Sequence, residues 1–265
     1  MQKDIDTLFS HLWDNYLQVT PSAAKVHTLL GGGEPIVNDH VAFRTYNLPT
    51  LGLDKLAGHF LALGYEQKGE YLFKAKKLYA QHFEHQDPDA PKVFISELKV
   101  DELSAGAQAI IRKLAEQVPE HLTDTPAFLY AGAPWQASYA DYQTLLAESE
   151  YAAWVAAWGY RANHFTVNIN TLPNFDTLHQ VNAALKAAGF VLNSAGGEVK
   201  GDPQVMLEQS ATMADRAEVV FSDGVYPIPS CFYEFALRYP QPDGALYSGF
   251  VEASADKIFE STNAR

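Results

Sequence analysis

Apolar residues recur every three or four positions between residues 3 and 18, where Ile5, Leu8, Phe9, Leu12, Trp13, Tyr16 and Leu17 mark one face of an amphipathic helix. Thr20-Pro21-Ser22 is expected to cap a second helix, and Gly31-Gly32-Gly33 ends it. Beyond the glycines the pattern predicts a strand at 40–46, a helix at 52–63 and β-rich segments at 65–84 and 92–100. This order is β-α-β-β-β. Residues 101–162 carry two helical patterns, 103–118 and 142–158, joined by a Pro- and Ala-rich stretch around Pro126 and Pro134. They read as a connector. The first order then returns, with a strand at 164–170, a helix at 176–188 and strands near 189–200, 204–213, 217–222 and 230–239. Gly196-Gly197 and Asp223-Gly224 are turn signals between them.

The return can be placed in register. His40 and His164 stand 124 residues apart (164 − 40 = 124), as do the Leu-Pro pairs at Leu48-Pro49 and Leu172-Pro173. Gly64-Tyr65 and Gly189-Phe190 follow the two helices at nearly the same spacing. The chain therefore reads as an α+β fold of two pseudo-symmetric β-α-β-β-β modules, about 40–100 and 164–239. A helical N-terminus (3–31) and the helical connector (101–162) are added, all in one domain of 265 residues. Related by a twofold axis, the modules would enclose a cup.

Composition narrows what the cup could bind. A net charge of −13 without a Lys/Arg cluster beyond Lys74, Lys76 and Lys77 argues against nucleic acid and acidic lipid surfaces. An anionic ligand would meet a repulsive overall field, so it would need a local cation and a placed arginine. No apolar run reaches the roughly 18 residues of a membrane span, the start lacks a signal-peptide core, and the single Cys231 excludes an internal disulfide. These features predict a cytoplasmic protein. There is no Gly-x-Ser-x-Gly, Walker loop, dinucleotide fingerprint or His-Glu-x-x-His.

A twofold axis would bring His40 and His164 together at the centre of the cup. The last strand offers a third ligand, because Cys231-Phe-Tyr-Glu-Phe-Ala-Leu237 places one carboxylate, Glu234, among apolar neighbours. An ionised Glu there is costly unless it is paired or bound to metal. Two imidazoles and one carboxylate with open positions suit non-haem Fe(II), although Zn(II), Mn(II) or Ni(II) would accept the same ligands. Glu97, in Val93-Phe-Ile-Ser-Glu-Leu98, reads as the counterpart of Glu234 and a possible fourth ligand. His82, Glu84 and His85 read as a solvated strand end. Arg44 lies on the His40 face of its strand and could grip a substrate carboxylate, while its counterpart Asn168 is neutral. Arg238 stands in the same relation to Glu234 and is a weaker substrate-binding candidate.

At these residues the chain resembles the 2-oxoadipate dioxygenase/decarboxylase family of the vicinal-oxygen-chelate superfamily. The matching pieces are Asp39-His40-Val-Ala-Phe-Arg44, Asn163-His164-Phe-Thr-Val-Asn168 and Phe232-Tyr-Glu234-Phe, and the likeness runs through most of 30–240. The resemblance implies Fe(II) on His40, His164 and Glu234, Arg44 against the 2-oxo acid, and O₂-dependent decarboxylation of 2-oxoadipate to 2-hydroxyglutarate. Longer members use a C-terminal part that also contacts substrate, whereas only 31 residues follow Glu234 here (265 − 234 = 31). The substrate was therefore expected to be less transferable than the metal site. A glyoxalase-like lyase or isomerase with Glu97 as fourth ligand, and a non-enzymatic small-molecule-binding protein, are the alternatives. Sequence leaves the oligomeric state open.

Overall fold

A computed structural model describes residues 2–263. Helices α1 (Gln2–Leu17) and α2 (Ser22–Leu30) precede a first module made of β1 (Asn38–Tyr46), α3 (Leu53–Ala62), β2 (Tyr65–Phe73), β3 (Leu78–His85) and β4 (Lys92–Leu98). The connector carries α4 (Ala105–Ala115), α5 (Tyr139–Glu148) and α6 (Glu150–Trp158). The second module holds β5 (Ala162–Asn168), α7 (Leu178–Ala187), β6 (Lys200–Asp202), β7 (Leu207–Ala211), β8 (Arg216–Phe221), β9 (Gly224–Pro229) and β10 (Phe232–Arg238), and α8 (Glu252–Ile258) follows it.

Eight strands form one sheet in the order β2-β3-β4-β1-β5-β10-β7-β6. The order is symmetric about the β1/β5 seam: β1 runs parallel to β4, β5 runs parallel to β10, and the seam is antiparallel. Its register carries the repeat, since His40 lies opposite Thr166 and Ala42 opposite His164. Both pairs exchange under one offset (164 − 40 = 166 − 42 = 124). β1, β5 and β10 are buried almost throughout, which explains why they read as apolar runs and not as alternating strands. One face packs on α1 and α3, with Phe165 edge-on to Trp13 at 5.1 Å and Phe43 against Phe60 at 5.6 Å. The other face is the cup. Apolar on all sides, α6 closes one end of it, and its Tyr151 hydroxyl donates to the Ser96 carbonyl of β4.

Several elements depart from the pattern reading. The helix expected at 142–158 is broken at Ser149, which leaves the helical region (φ −145°, ψ 110°) and caps α6 by accepting from the Ala152 N–H. Pro21, not Thr20, occupies the N-cap of α2, and no side chain caps it. Residues 189–199 form no strand beyond an isolated bridge at Leu192; the edge strand is the short β6. The strand near 217–222 pairs with β9 in a separate hairpin instead of joining the sheet. Finally, α8 lies where no element was expected and packs across β2, β6 and β7.

Candidate metal centre

Alternation on the seam strands aims His40, Ala42 and Arg44 of β1 into the cup, with His164 and Thr166 of β5 beside them. On β10, Glu234 lies opposite Thr166 and so shares that face. Glu234 Oε1 lies 3.6 Å from His40 Nε2, and Oε2 lies 3.0 Å from His164 Nε2. All three ligand atoms fall within 4.8 Å of one another, in residues that are 2%, 7% and 1% exposed. The Nδ1 edges point outward, each to the side chain one residue earlier: His40 to Asp39 Oδ1 at 2.7 Å, and His164 to Asn163 Oδ1 at 3.0 Å. Those contacts fix both rings with Nε2 toward the shared point.

The electrostatics favour ligation. Burial alone would raise the Glu234 carboxyl, but the two imidazoles and the Gln209 amide (Nε2 to Oε1, 2.5 Å) hold it below its ordinary value. Burial lowers His164 against the opposing pull of Glu234, leaving the neutral ring that binds metals. Burial would likewise raise Asp39, yet Arg238 and His40 hold its carboxyl well below the usual range. Gln209 Oε1 and Asn163 Nδ2 are buried without a protein partner at this same site. Two nitrogens and a carboxylate converging in a buried pocket fit one divalent ion, and the donor set accepts iron, manganese, zinc or nickel.

The triad opens onto a tight cavity of about 30 Å³ whose wall also includes Arg44, Ser96, Phe94, Phe250 and Phe259. Arg44 is 1% exposed and its guanidinium lies over Tyr151, Trp154 and Phe259 at 5.0, 5.1 and 5.5 Å. Its polar partners are sparse: Thr262 Oγ1 at 2.9 Å, Glu150 Oε1 at a long 3.4 Å, and none for Nε. A buried cation with spare donors beside a metal-ligand triad is equipped to receive an anion.

Other candidates lie elsewhere. In the sheet register Glu234 and Phe94 are equivalent (Glu234 opposite Thr166, Phe94 opposite Ala42), so Glu97 is three positions from the counterpart it was taken for. It faces the helix side, where Oε2 accepts from the Leu53 N–H at the start of α3 (2.8 Å), and it cannot be a fourth ligand. Asn168 caps the turn after β5 by accepting from the Asn170 N–H, and does not line the cavity. Arg238 has four of its donors committed, two to Asp39 and two to the Tyr247 and Gly249 carbonyls, so it holds protein and not substrate. His82 is no solvated strand end: it is 3% exposed between Glu84 and the Tyr71 hydroxyl. Its ring occupies space that a Cβ at Gly69 would fill at 2.8 Å.

The pattern also missed part of the site. Gln209 was anonymous in a polar-looking strand; outside the cavity wall, Lys200, buried at the start of β6 with its ammonium pulled down to about 8 by burial, gave no signal either. The residues after Glu234 are not wanting, since Phe250, Ala255, Ile258 and Phe259 roof the cavity and Thr262 meets Arg44.

Known proteins are similar to this chain in sequence and fold. The rice protein named 2-oxoadipate dioxygenase/decarboxylase, chloroplastic/amyloplastic, is 36% identical over 97% of this chain and 78% of its own length. A crystal structure of rice hydroxyglutarate synthase with 2-oxoadipate superposes with a TM-score of 0.89 at 36% identity, covering 97% and 91% of the two chains. A Shewanella frigidimarina protein described as a hydrolase superposes at 0.90 with 59% identity, covering 94% and 98%. Together with the profile of the family, which matches residues 3–243, these likenesses establish that the chain belongs to the 2-oxoadipate dioxygenase/decarboxylase family.

Proposed function

We propose that this protein converts 2-oxoadipate and O₂ to 2-hydroxyglutarate and CO₂, with Fe(II) held by His40, His164 and Glu234. The equation balances without external reductant, because the original C1 carboxylate leaves as CO₂, one atom of O₂ completes the new carboxylate at the former keto carbon, and the other becomes the hydroxyl. The observation that carries the reading is the juxtaposition of the buried triad and Arg44 in one cavity. Bound there, the metal would supply a Lewis-acidic anchor for the 2-oxo acid and the electrons that let O₂ react. The chain's own residues do the rest. Arg44 receives the far carboxylate through charge-assisted hydrogen bonds, and the aromatic wall of Phe94, Phe232, Phe250 and Phe259 excludes water. Gln209 fixes one oxygen of Glu234, so that the carboxylate keeps its orientation through the reaction.

The test is O₂ uptake by anaerobically purified, Fe(II)-loaded protein against 2-oxo acids of three to seven carbons, with 2-hydroxy acid and CO₂ measured. One O₂ consumed per CO₂ and per 2-hydroxyglutarate, with 2-oxoadipate preferred, is the expected result. Turnover of any substrate without O₂ consumption would replace this reading with a lyase or hydrolase. Manganese or zinc restoring full O₂-dependent turnover would displace iron.

A further inference from the structure

We propose that Arg238 is a positioning residue that couples closure of the C-terminal segment over the cup to the orientation of His40. The inference rests on the reading of His40, His164 and Glu234 as metal ligands.

A single guanidinium joins the two. On one side Arg238 Nε and Nη2 donate to Asp39 Oδ2 and Oδ1 at 2.6 and 2.9 Å, and Oδ1 also receives His40 Nδ1 at 2.7 Å. On the other side Nη1 donates to the carbonyls of Tyr247 and Gly249, at 2.9 and 2.8 Å, where the chain turns over the cavity. The next residue, Phe250, sets its ring edge-on to His40 at 4.8 Å and 5.3 Å from the guanidinium carbon. The triad is almost fully covered by this arrangement, so substrate entry requires residues 247–262 to move. When they do, Arg238, which is only 3% exposed in the closed arrangement, loses two carbonyl acceptors that water or new partners must replace. The guanidinium then has reason to turn or hydrate, and the Asp39 carboxylate that aims His40 turns with it.

The device is one-sided. His164 is held by the neutral Asn163, whose Nδ2 has no partner, and among the described residues nothing ties it to the C-terminal segment in this way. The segment has further ties well away from the triad. Glu252 accepts from the Leu72 N–H at 3.0 Å, and Lys76 pairs with Glu260. Coupling between two sites is reciprocal, so loosening these distant ties must weaken metal binding if Arg238 transmits closure.

The experiment measures Co(II) affinity by titration, and amide hydrogen exchange of residues 247–262 with and without Co(II), in the full-length protein. In the wild type Co(II) is expected to slow exchange across 247–262. Arg238→Met should weaken Co(II) by about ten- to a hundredfold and abolish that protection, with α1 and α7 exchanging as in the wild type. Arg238→Lys, which cannot span both sets of acceptors, should fall between. The Lys76→Ala/Glu252→Ala variant leaves every residue around the triad in place and serves if Arg238→Met fails to fold. It should speed exchange of the segment and weaken Co(II) severalfold. Unchanged Co(II) affinity in either variant overturns the coupling. A wild-type protein that binds no Co(II), Fe(II) or Zn(II) overturns the metal reading instead.

Discussion

The two halves of the sheet share a backbone plan and differ in nearly every charge. Symmetry supplies the histidines: His40 and His164 open equivalent strands and each leans on the side chain before it. Elsewhere the pairs diverge. With β4 and β10 related by 140 residues (234 − 94 = 236 − 96 = 238 − 98 = 140), Glu234 stands opposite Phe94 in the comparison and Arg238 opposite Leu98. Arg44 matches Asn168, and the buried Lys200 matches Tyr71, the first held by carbonyls and the second by His82. A duplicated module brings two imidazole nitrogens together by symmetry, and under the proposed function the asymmetric charges would select one ion and one orientation of an anionic substrate. Asp39 and Asn163 show the distinction most simply, since a charged relay holds one ring and a neutral amide the other.

The largest break of the comparison is at Glu234. Glu234→Gln keeps the shape but removes the only carboxylate of the triad, and metal content and O₂ uptake should both fall to background. Next is Arg44→Met, which should lower kcat/KM for a dicarboxylic 2-oxo acid by about ten- to a hundredfold while metal content stays at the wild-type level. Loss of iron in that variant would return Arg44 to a purely structural role. The introduction of Arg at the matched Asn168 should not rescue it, because the Asn168 side chain caps the turn after β5 and does not line the cavity.

Smaller effects separate the two histidines. Asp39→Asn should weaken metal binding by about tenfold or more, whereas Asn163→Ala should cost less, since a neutral hydrogen bond of about 1 kcal/mol is lost. Equal losses, read by metal titration, would mean that the charged relay adds nothing. Asp39→Asn also leaves a buried guanidinium without its counter-ion, so its Tm should drop.

The smallest effect is a pH dependence in the second module. Burial depresses the folded-state pKa of Lys200 from 10.5 to about 8, so the folded protein binds fewer protons than the unfolded chain between those values. The sign follows: carrying the ammonium costs stability below pH 8, and the cost is relieved as pH rises from 8 toward 10.5. Denaturant midpoints of wild type relative to Lys200→Met should therefore rise across that window. A flat difference would show that the two carbonyl acceptors of Lys200 compensate its burial.

Part of this molecule could be read from its residues. The histidine offset survived because β1 and β5 are adjacent and paired, so a repeat in sequence becomes a repeat in register. Glu234 stood out because a lone carboxylate in an apolar strand carries a desolvation cost that demands a partner. Glu97 met the same criterion and was misplaced. The β8–β9 hairpin inserted before β10 makes the strand spacing unequal, 52 residues from His40 to Lys92 and 68 from His164 to Phe232 (92 − 40 = 52; 232 − 164 = 68). A three-residue error in matching then turns a side chain to the other face.

What the sequence determined by itself is local: helix and strand periods, the duplicated order, and the residue types able to bind a metal. What only the tertiary structure decided is which of them meet. Arg238 became an anchor for Asp39 because residues 247–249 fold back over it, and Arg44 acquired its aromatic box from α6 and the C-terminal segment, more than 100 and 200 residues away along the chain. No local period records such contacts, because they arise from burial shared between distant segments, and burial is a property of the packed chain and not of any stretch within it.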